Sequence, residues 1–267
     1  MAMLQAAEGF LIDLDGTICR GDRLIDGAAE AIAHLARSGK PFVFVSNRGN
    51  MSRAMCREKL ANLGLEVPAE TLLLASTATA VYLRDTDPDC SVWVLGEQGL
   101  KDELAVFGIG LAPEPESADW LVITLHETLT YRDLNQAFRA VRSGARIIAT
   151  NADRVVPTEE GDCIDVAGMI GAIAYSTGKE PEVVVGKPSS IMASTALRML
   201  GLPPEKCMVI GDSLGSDIGL AHRHGMASVL VLSGLTTRED AARSEYRPDQ
   251  IWPSIANLQA YLEGISS

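Results

Sequence analysis

No stretch of this chain runs apolar for the ~18 residues that a membrane-spanning helix requires, so a bilayer-embedded helical fold is not expected. The opening residues, Met1 to Glu8, carry neither a basic segment nor a long apolar one, and no secretory signal is read there. Cysteine is sparse: Cys19, Cys56, Cys90, Cys163 and Cys207 are odd in number, widely scattered and without a C-x-x-C pair. That argues against a disulfide framework or structural zinc, and predicts buried reduced thiols in a cytoplasmic setting. Basic residues are outnumbered 35 to 23, leaving a formal charge of −12. So acidic a chain is a poor non-specific partner for a nucleic-acid polymer or an anionic membrane, although a few local donors suffice to bind a small anion. Two nucleotide signatures are also missing. No G-x-G-x-x-G follows a predicted strand, and there is no G-x-x-x-x-G-K-[ST] loop.

What is present is an ordinary globular composition, 47% hydrophobic over 267 residues, enough for one or two domains with a real core. Gly9–Leu14 reads as a buried strand, 28–38 as a helix stopped by Gly39, and Pro41–Ser46 as a second strand. A helix follows from about Ser52 to Gly64. The pattern returns late, with strand Glu182–Val185, helix Ser189–Leu200 closed by Gly201, strand Cys207–Ile210, a helix opened by Asp217, and strand Ser228–Leu232. In the middle, Val92–Leu95, Trp120–Leu125 and Arg146–Ala149 are strand candidates, Tyr131–Ser143 is helical, and Ala112–Asp119 reads as a loop. Strands alternating with helices imply right-handed crossovers and a parallel sheet.

Four predicted strand ends carry polar motifs. In Asp13-Leu14-Asp15-Gly16-Thr17, a continuing strand would put both carboxylates on one face, where like charges need a proton or cation for relief. Gly16 and Thr17 allow a tight turn whose N–H groups could meet an anion. Gly211-Asp212-Ser213-Leu214-Gly215-Ser216-Asp217 adds two carboxylates after another apolar run, and hard oxygen ligands without soft ones suit Mg²⁺. The plainer alternative is that Asp217 caps the next helix. Ser46-Asn47 supplies a hydroxyl and amide donors, and Lys187 in Gly186-Lys187-Pro188 a point charge for an oxyanion.

In that order, the four motifs resemble those of the haloacid dehalogenase superfamily. Asp15–Ala28, Thr150–Arg154 and Pro157–Gly161 look like the NagD and p-nitrophenyl phosphatase branch. The resemblance implies a Rossmann-like, doubly wound parallel-sheet core at 1–77 plus 186–267, interrupted by an α/β cap domain at 78–185. It implies a Mg²⁺-dependent phosphatase of small phosphomonoesters, nucleotide or sugar phosphates among them, working through an aspartyl-phosphate. Asp13 would be the nucleophile and Asp15 the general acid and base. Gly16, Ser46, Asn47, Arg48 and Lys187 would hold the substrate. Asp13, the Asp15 carbonyl and Asp212 would bind the metal, with Asp217 acting directly or through water. A large cap favours small phosphorylated metabolites, and caps of this branch commonly mediate dimers, so a homodimer stays open.

The chain departs from the branch pattern at Arg48, which could reach a second anionic group of the substrate or pair with a nearby carboxylate. Ser213, Ser216 and Ile164–Gly168 also differ from the usual residues. A dehalogenase proper would not need Asp15, a mutase or phosphotransferase would use the same residues, and two rivals come from other classes. Gly211–Gly215 satisfies G-x-S-x-G, a serine-esterase signature, but the only histidines after Ser213 are His222 and His224, too near to serve as a triad base. A phosphometabolite-binding protein without catalysis is the other.

Overall fold

The protein is described here by a computed structural model covering residues 7–158 and 161–264. The chain divides into two compact units. One takes the chain up to Ser46, Arg57–Leu73, and the chain from Lys187; the other takes Asn47–Cys56 and Leu74–Gly186.

The first unit is built on a six-stranded sheet in the order Gln250–Trp252, Ala227–Val231, Cys207–Gly211, Gly9–Ile12, Phe42–Ser46, Leu72–Leu74. Gly9–Ile12 pairs in parallel with Cys207–Gly211 on one side and Phe42–Ser46 on the other, with Leu11 opposite Val209 and Val43. Every residue of Gly9–Ile12, Cys207–Gly211 and Ala227–Val231 is buried. This is why those segments are apolar runs broken only by Ser228, whose hydroxyl is bonded to Asp249: helices cover both faces of a parallel sheet, and neither face is open to water. Among these helices, Ala28–Arg37 buries Ala28, Ala31, Ile32 and Leu35 along one stripe. Ser190–Leu200 starts where the Ser189 side chain accepts the Met192 N–H, and ends at Gly201 in the left-handed region, φ 67°. Strand order reverses between Gly9–Ile12 and Cys207–Gly211. Open α/β sheets bind ligands beyond the carboxyl ends at such a reversal.

The second unit has a five-stranded, wholly parallel sheet, ordered Val183–Val184, Arg146–Ala149, Trp120–Ile123, Ser91–Leu95, Gly110–Leu111. Leu121, Ile123 and Ile147 of this sheet pack with Val141, Met169 and Ile173 from helices Tyr131–Arg142 and Val166–Thr177. An antiparallel hairpin, Val155–Thr158 with Gly161–Ile164, stands apart from the sheet. Among the described residues no helix is long and apolar enough to cross a membrane.

Several expectations need correction. The first strand stops at Ile12, not Leu14, and Asp217 does not open or cap a helix. The chain instead makes one wide turn over Leu214–Ile218, capped by Ser213, before helix Gly219–His224. Within the loop 112–119, Pro115–Ser117 winds into a short 3₁₀ turn. Burial was expected of all five thiols, but Cys163 is exposed on its hairpin, unlike the other four.

Candidate active site

Asp13 is the first residue beyond strand Gly9–Ile12, and Asp212 the first beyond Cys207–Gly211. The backbone N–H of Asp13 still bonds to the Ile210 carbonyl at 2.9 Å, so the sheet ladder fixes these two carboxylates side by side. The wide turn after Ser213 returns Asp217 to the same spot, and one carboxylate oxygen from each of Asp13, Asp212 and Asp217 lies within 4.8 Å of the others. Glycines make the room. A Cβ at Gly16 or Gly234 would fall on the Asp212 carboxylate, and one at Gly211 on that of Asp217. Gly16 also needs its positive φ of 85° to turn the chain.

Lys187 reaches the cluster from the start of the returning chain. Its Nζ donates to Asp13 Oδ1 and Asp217 Oδ1, each at 2.6 Å, and to the Val45 carbonyl at 2.9 Å. Two further carboxylate oxygens are held by backbone. Asp212 Oδ2 accepts the Leu235 N–H at 2.7 Å, and Asp217 Oδ2 accepts the Ser213 N–H at 3.0 Å. Asp13 Oδ2 is buried with no hydrogen-bond partner.

The electrostatics follow from one ammonium facing three buried carboxylates. Burial pushes the Asp13 carboxyl well above its ordinary range, and Asp217 and Asp212 add repulsion that Lys187 only partly offsets. Asp212 is pushed up to about 6, by burial first and Asp217 second. Burial alone would lower Lys187, but the attraction of Asp13 and Asp217 outweighs it and raises the ammonium above its usual value. The excess negative charge, an orphaned buried oxygen and an all-oxygen donor set fit a hard divalent cation such as Mg²⁺.

The other expected residues are placed differently. Ser46 is buried at the end of strand Phe42–Ser46, next to Val45, whose carbonyl holds Lys187. Asp15 does not crowd Asp13 on a strand face as the spacing suggested. With the strand ended at Ile12, Asp15 enters a turn bridged to Cys19, and its carboxylate is outside the three-carboxylate cluster, though its charge is felt at Asp212. Asn47 and Arg48 belong to the second unit. There Asn47 Nδ2 donates to Asp153 Oδ2 at 2.8 Å, and the Arg48 charge eases the burial of Asp165.

Sequence reasoning gave no role to residues 233–235, which brace the cluster. Ser233 Oγ donates to the Gly16 carbonyl at 2.7 Å, and Leu235 binds Asp212. The signal was Ser-Gly directly after an apolar run, ending at a third strand beside the first two. Ser213 is no nucleophile elbow: its Oγ accepts the Ser216 N–H as a turn cap. His222 packs edge-on against Tyr246, and His224 Nε2 lies 3.4 Å from the Pro188 carbonyl.

A doubly wound parallel sheet presenting a lysine-bridged carboxylate cluster at its switch point defines a class, the α/β enzymes with an acidic site beyond the carboxyl ends of the strands. Comparison with known proteins narrows it. Residues 10–110 match the family described as haloacid dehalogenase-like hydrolase, and 184–258 match a related HAD-hydrolase-like model. The sugar-phosphatase AraL of Bacillus subtilis is 54% identical over 255 residues, covering 96% of this chain and 93% of that protein. The 5'-nucleotidase YutF of the same organism is 32% identical, covering 97% and 100%. Among solved structures, the p-nitrophenyl phosphatase from Archaeoglobus fulgidus aligns with a TM-score of 0.89 at 35% identity, covering 95% of this chain and 98% of that one. The chain belongs to the haloacid dehalogenase-like hydrolases, in the branch of NagD and the p-nitrophenyl phosphatases.

Proposed function

We propose that the protein is a Mg²⁺-dependent phosphatase of small phosphomonoesters, acting through a phosphorylated Asp13. The observation that carries the reading is Asp13 itself: one carboxylate oxygen is anchored by Lys187 while the other is buried and unpartnered, in a cluster whose donors fit a cation. A carboxylate approaching a phosphate dianion meets strong repulsion. Asp13, Asp212, Asp217 and the Asp15 carbonyl would hold Mg²⁺, which when bound supplies the positive charge that offsets this repulsion.

The chain's own groups then do the following. Asp13 attacks phosphorus in line, forming a P–O bond as the bond to the substrate's ester oxygen breaks. Asp15 gives its proton to that leaving oxygen. In the second half, Asp15 takes a proton from water as the water attacks the phosphorus and frees Asp13, releasing inorganic phosphate. Ser46 Oγ and the Lys187 charge hold phosphoryl oxygens, with Asn47 and Arg48 assigned to the same task from the motif. The 54% identity to a sugar phosphatase favours sugar phosphates over nucleotides as substrates.

The test is hydrolysis of p-nitrophenyl phosphate and of a panel of phosphorylated sugars and nucleotides, with phosphate release read by malachite green. Turnover should need Mg²⁺, vanish in EDTA, and fall to background in Asp13→Asn. Metal-independent turnover, or an active Asp13→Asn variant, would overturn the mechanism. A ranking with nucleotides above every sugar phosphate would overturn the substrate preference alone.

A further inference from the structure

The segment Asn47–Cys56 begins with two residues assigned above to the substrate, and it is locked into the second unit from several sides. A Cβ at Gly49 would fall on the hydroxyls of both Thr124 and Thr150, which are themselves joined by a 2.9 Å hydrogen bond. A Cβ at Gly99 would fall on the Asn50 carbonyl and stand 2.8 Å from the Met51 Cα. Ser76 Oγ donates to the Met51 carbonyl at 2.6 Å, and Asn151 Nδ2 to the Asn47 carbonyl at 2.9 Å. Thr124 and Thr150 directly follow the adjacent strands Trp120–Ile123 and Arg146–Ala149. The segment therefore fills the carboxyl edge of the second unit's own parallel sheet, the place where such sheets ordinarily hold a ligand.

Its far end is gripped by a charge with no part in the chemistry. Glu103, on helix Gln98–Val106, is 1% exposed. Its Oε1 accepts from Arg53 Nε at 2.6 Å and from Thr77 Oγ1 at 2.8 Å. Its Oε2 accepts the Arg53 backbone N–H at 3.0 Å. Arg53 opens helix Arg53–Asn62, so the carboxylate satisfies a first-turn donor and meets the positive end of that helix. The guanidinium also lies over the Phe107 ring, 5.0 Å from its centroid. A buried carboxylate is costly, and an apolar residue in its place would spare that cost. A carboxylate binding both the backbone and the side chain of one residue fixes where that residue sits.

The geometry points to Glu103 as a positioning residue. Through Arg53 it pins one end of the segment, while Gly49 and Asn47 pin the other, and together they set the placement of Asn47 and Arg48 for the phosphoryl group. This rests on the phosphatase reading above.

The test uses the full-length protein with Mg²⁺, and inorganic phosphate as competitive inhibitor. In Glu103→Gln, the KM for p-nitrophenyl phosphate and the Ki for phosphate should rise together by about tenfold, the factor attached to one lost charged hydrogen bond, while kcat falls by less. Thr77→Val removes one contact and should raise both by roughly two- to threefold. If Glu103→Gln does not fold, the double variant Arg53→Gln with Glu103→Gln leaves no unpaired charge and should show the same tenfold loss. A purely architectural role lowers the folded fraction, so kcat per milligram would drop with KM and Ki unchanged. That result, or wild-type constants in folded variants, overturns the inference while the phosphatase reading stands. A wild-type protein that neither turns over p-nitrophenyl phosphate nor binds phosphate overturns both.

Discussion

Replacing Asp212 by asparagine separates what this carboxylate costs the fold from what it gives the site. The side chain is 3% exposed, boxed in by Gly16 and Gly234, and bonded to the Leu235 N–H. Asparagine has the same outline, keeps an oxygen for Leu235, and brings an amide where a second carboxylate oxygen repels its neighbours. Asp212 is raised from 3.8 to about 6, chiefly by burial and then by Asp217. A carboxyl raised on folding stabilises the fold while protonated. That stability is complete below about pH 4 and is lost as the pH climbs through about 6. Holding Asp212 ionised at neutral pH therefore costs on the order of 3 kcal/mol, less where Asp13 and Asp217 share the titration.

Asp212→Asn in EDTA should accordingly be more stable than the wild type at about pH 7.5, by roughly 1–3 kcal/mol. At roughly 2–4 °C per kcal/mol the melting temperature should rise by several degrees. Near pH 4 the two proteins should melt together. The assay is thermal or urea unfolding in EDTA at both pH values, beside turnover with Mg²⁺, which the variant should lack. A variant that melts lower at neutral pH, or whose gain persists undiminished at pH 4, would refute the repulsion argument.

Lys187→Met removes the counter-charge bonded to both Asp13 and Asp217, so it should destabilise the fold by about 3–5 kcal/mol near neutral pH, with smaller losses in acid where the carboxylates take up protons. Urea unfolding checks it, and a loss of under about 1 kcal/mol would contradict the pairing. Ser213→Ala deletes a turn cap, costing about 0.5–2 kcal/mol while leaving turnover within a few-fold. Turnover abolished by that change would restore the serine-esterase reading.

The core was legible because its strands are covered on both faces. Gly9–Ile12 and Cys207–Gly211 announce themselves as unbroken apolar runs, and the acidic residues at their ends mark the carboxyl edge. The meeting of Asp13, Lys187, Asp212 and Asp217 came from the order of four motifs, since no local spacing links residues so distant in the chain. The spacing argument failed at Asp15, because strand periodicity cannot say where a strand stops. Two aspartates on either side of Leu14 read alike whether the backbone continues or turns, and Gly16 decides that it turns. Asp217 joins the cluster as expected, but the helix does not open on it: the short turn after Gly211 looks like a helix start, while Ser213 takes the capping role and leaves Asp217 for Lys187. Arg48 stood open between a substrate anion and a protein carboxylate, and the structure puts its charge within reach of Asp165. Glu103 gave no signal at all, since an acidic pair such as Asp102-Glu103 in a helix reads as solvent-facing.

The way Asn47–Cys56 is built into the second unit bears on any attempt to trade that unit between relatives. A graft of 74–186 alone would arrive with Glu103 stripped of Arg53 and with the paired hydroxyls of Thr124 and Thr150 uncovered. The recipient's own loop would have to match that empty seat residue by residue. A transplantable module must therefore be cut in two pieces, with the short one taken from the same donor as the long one.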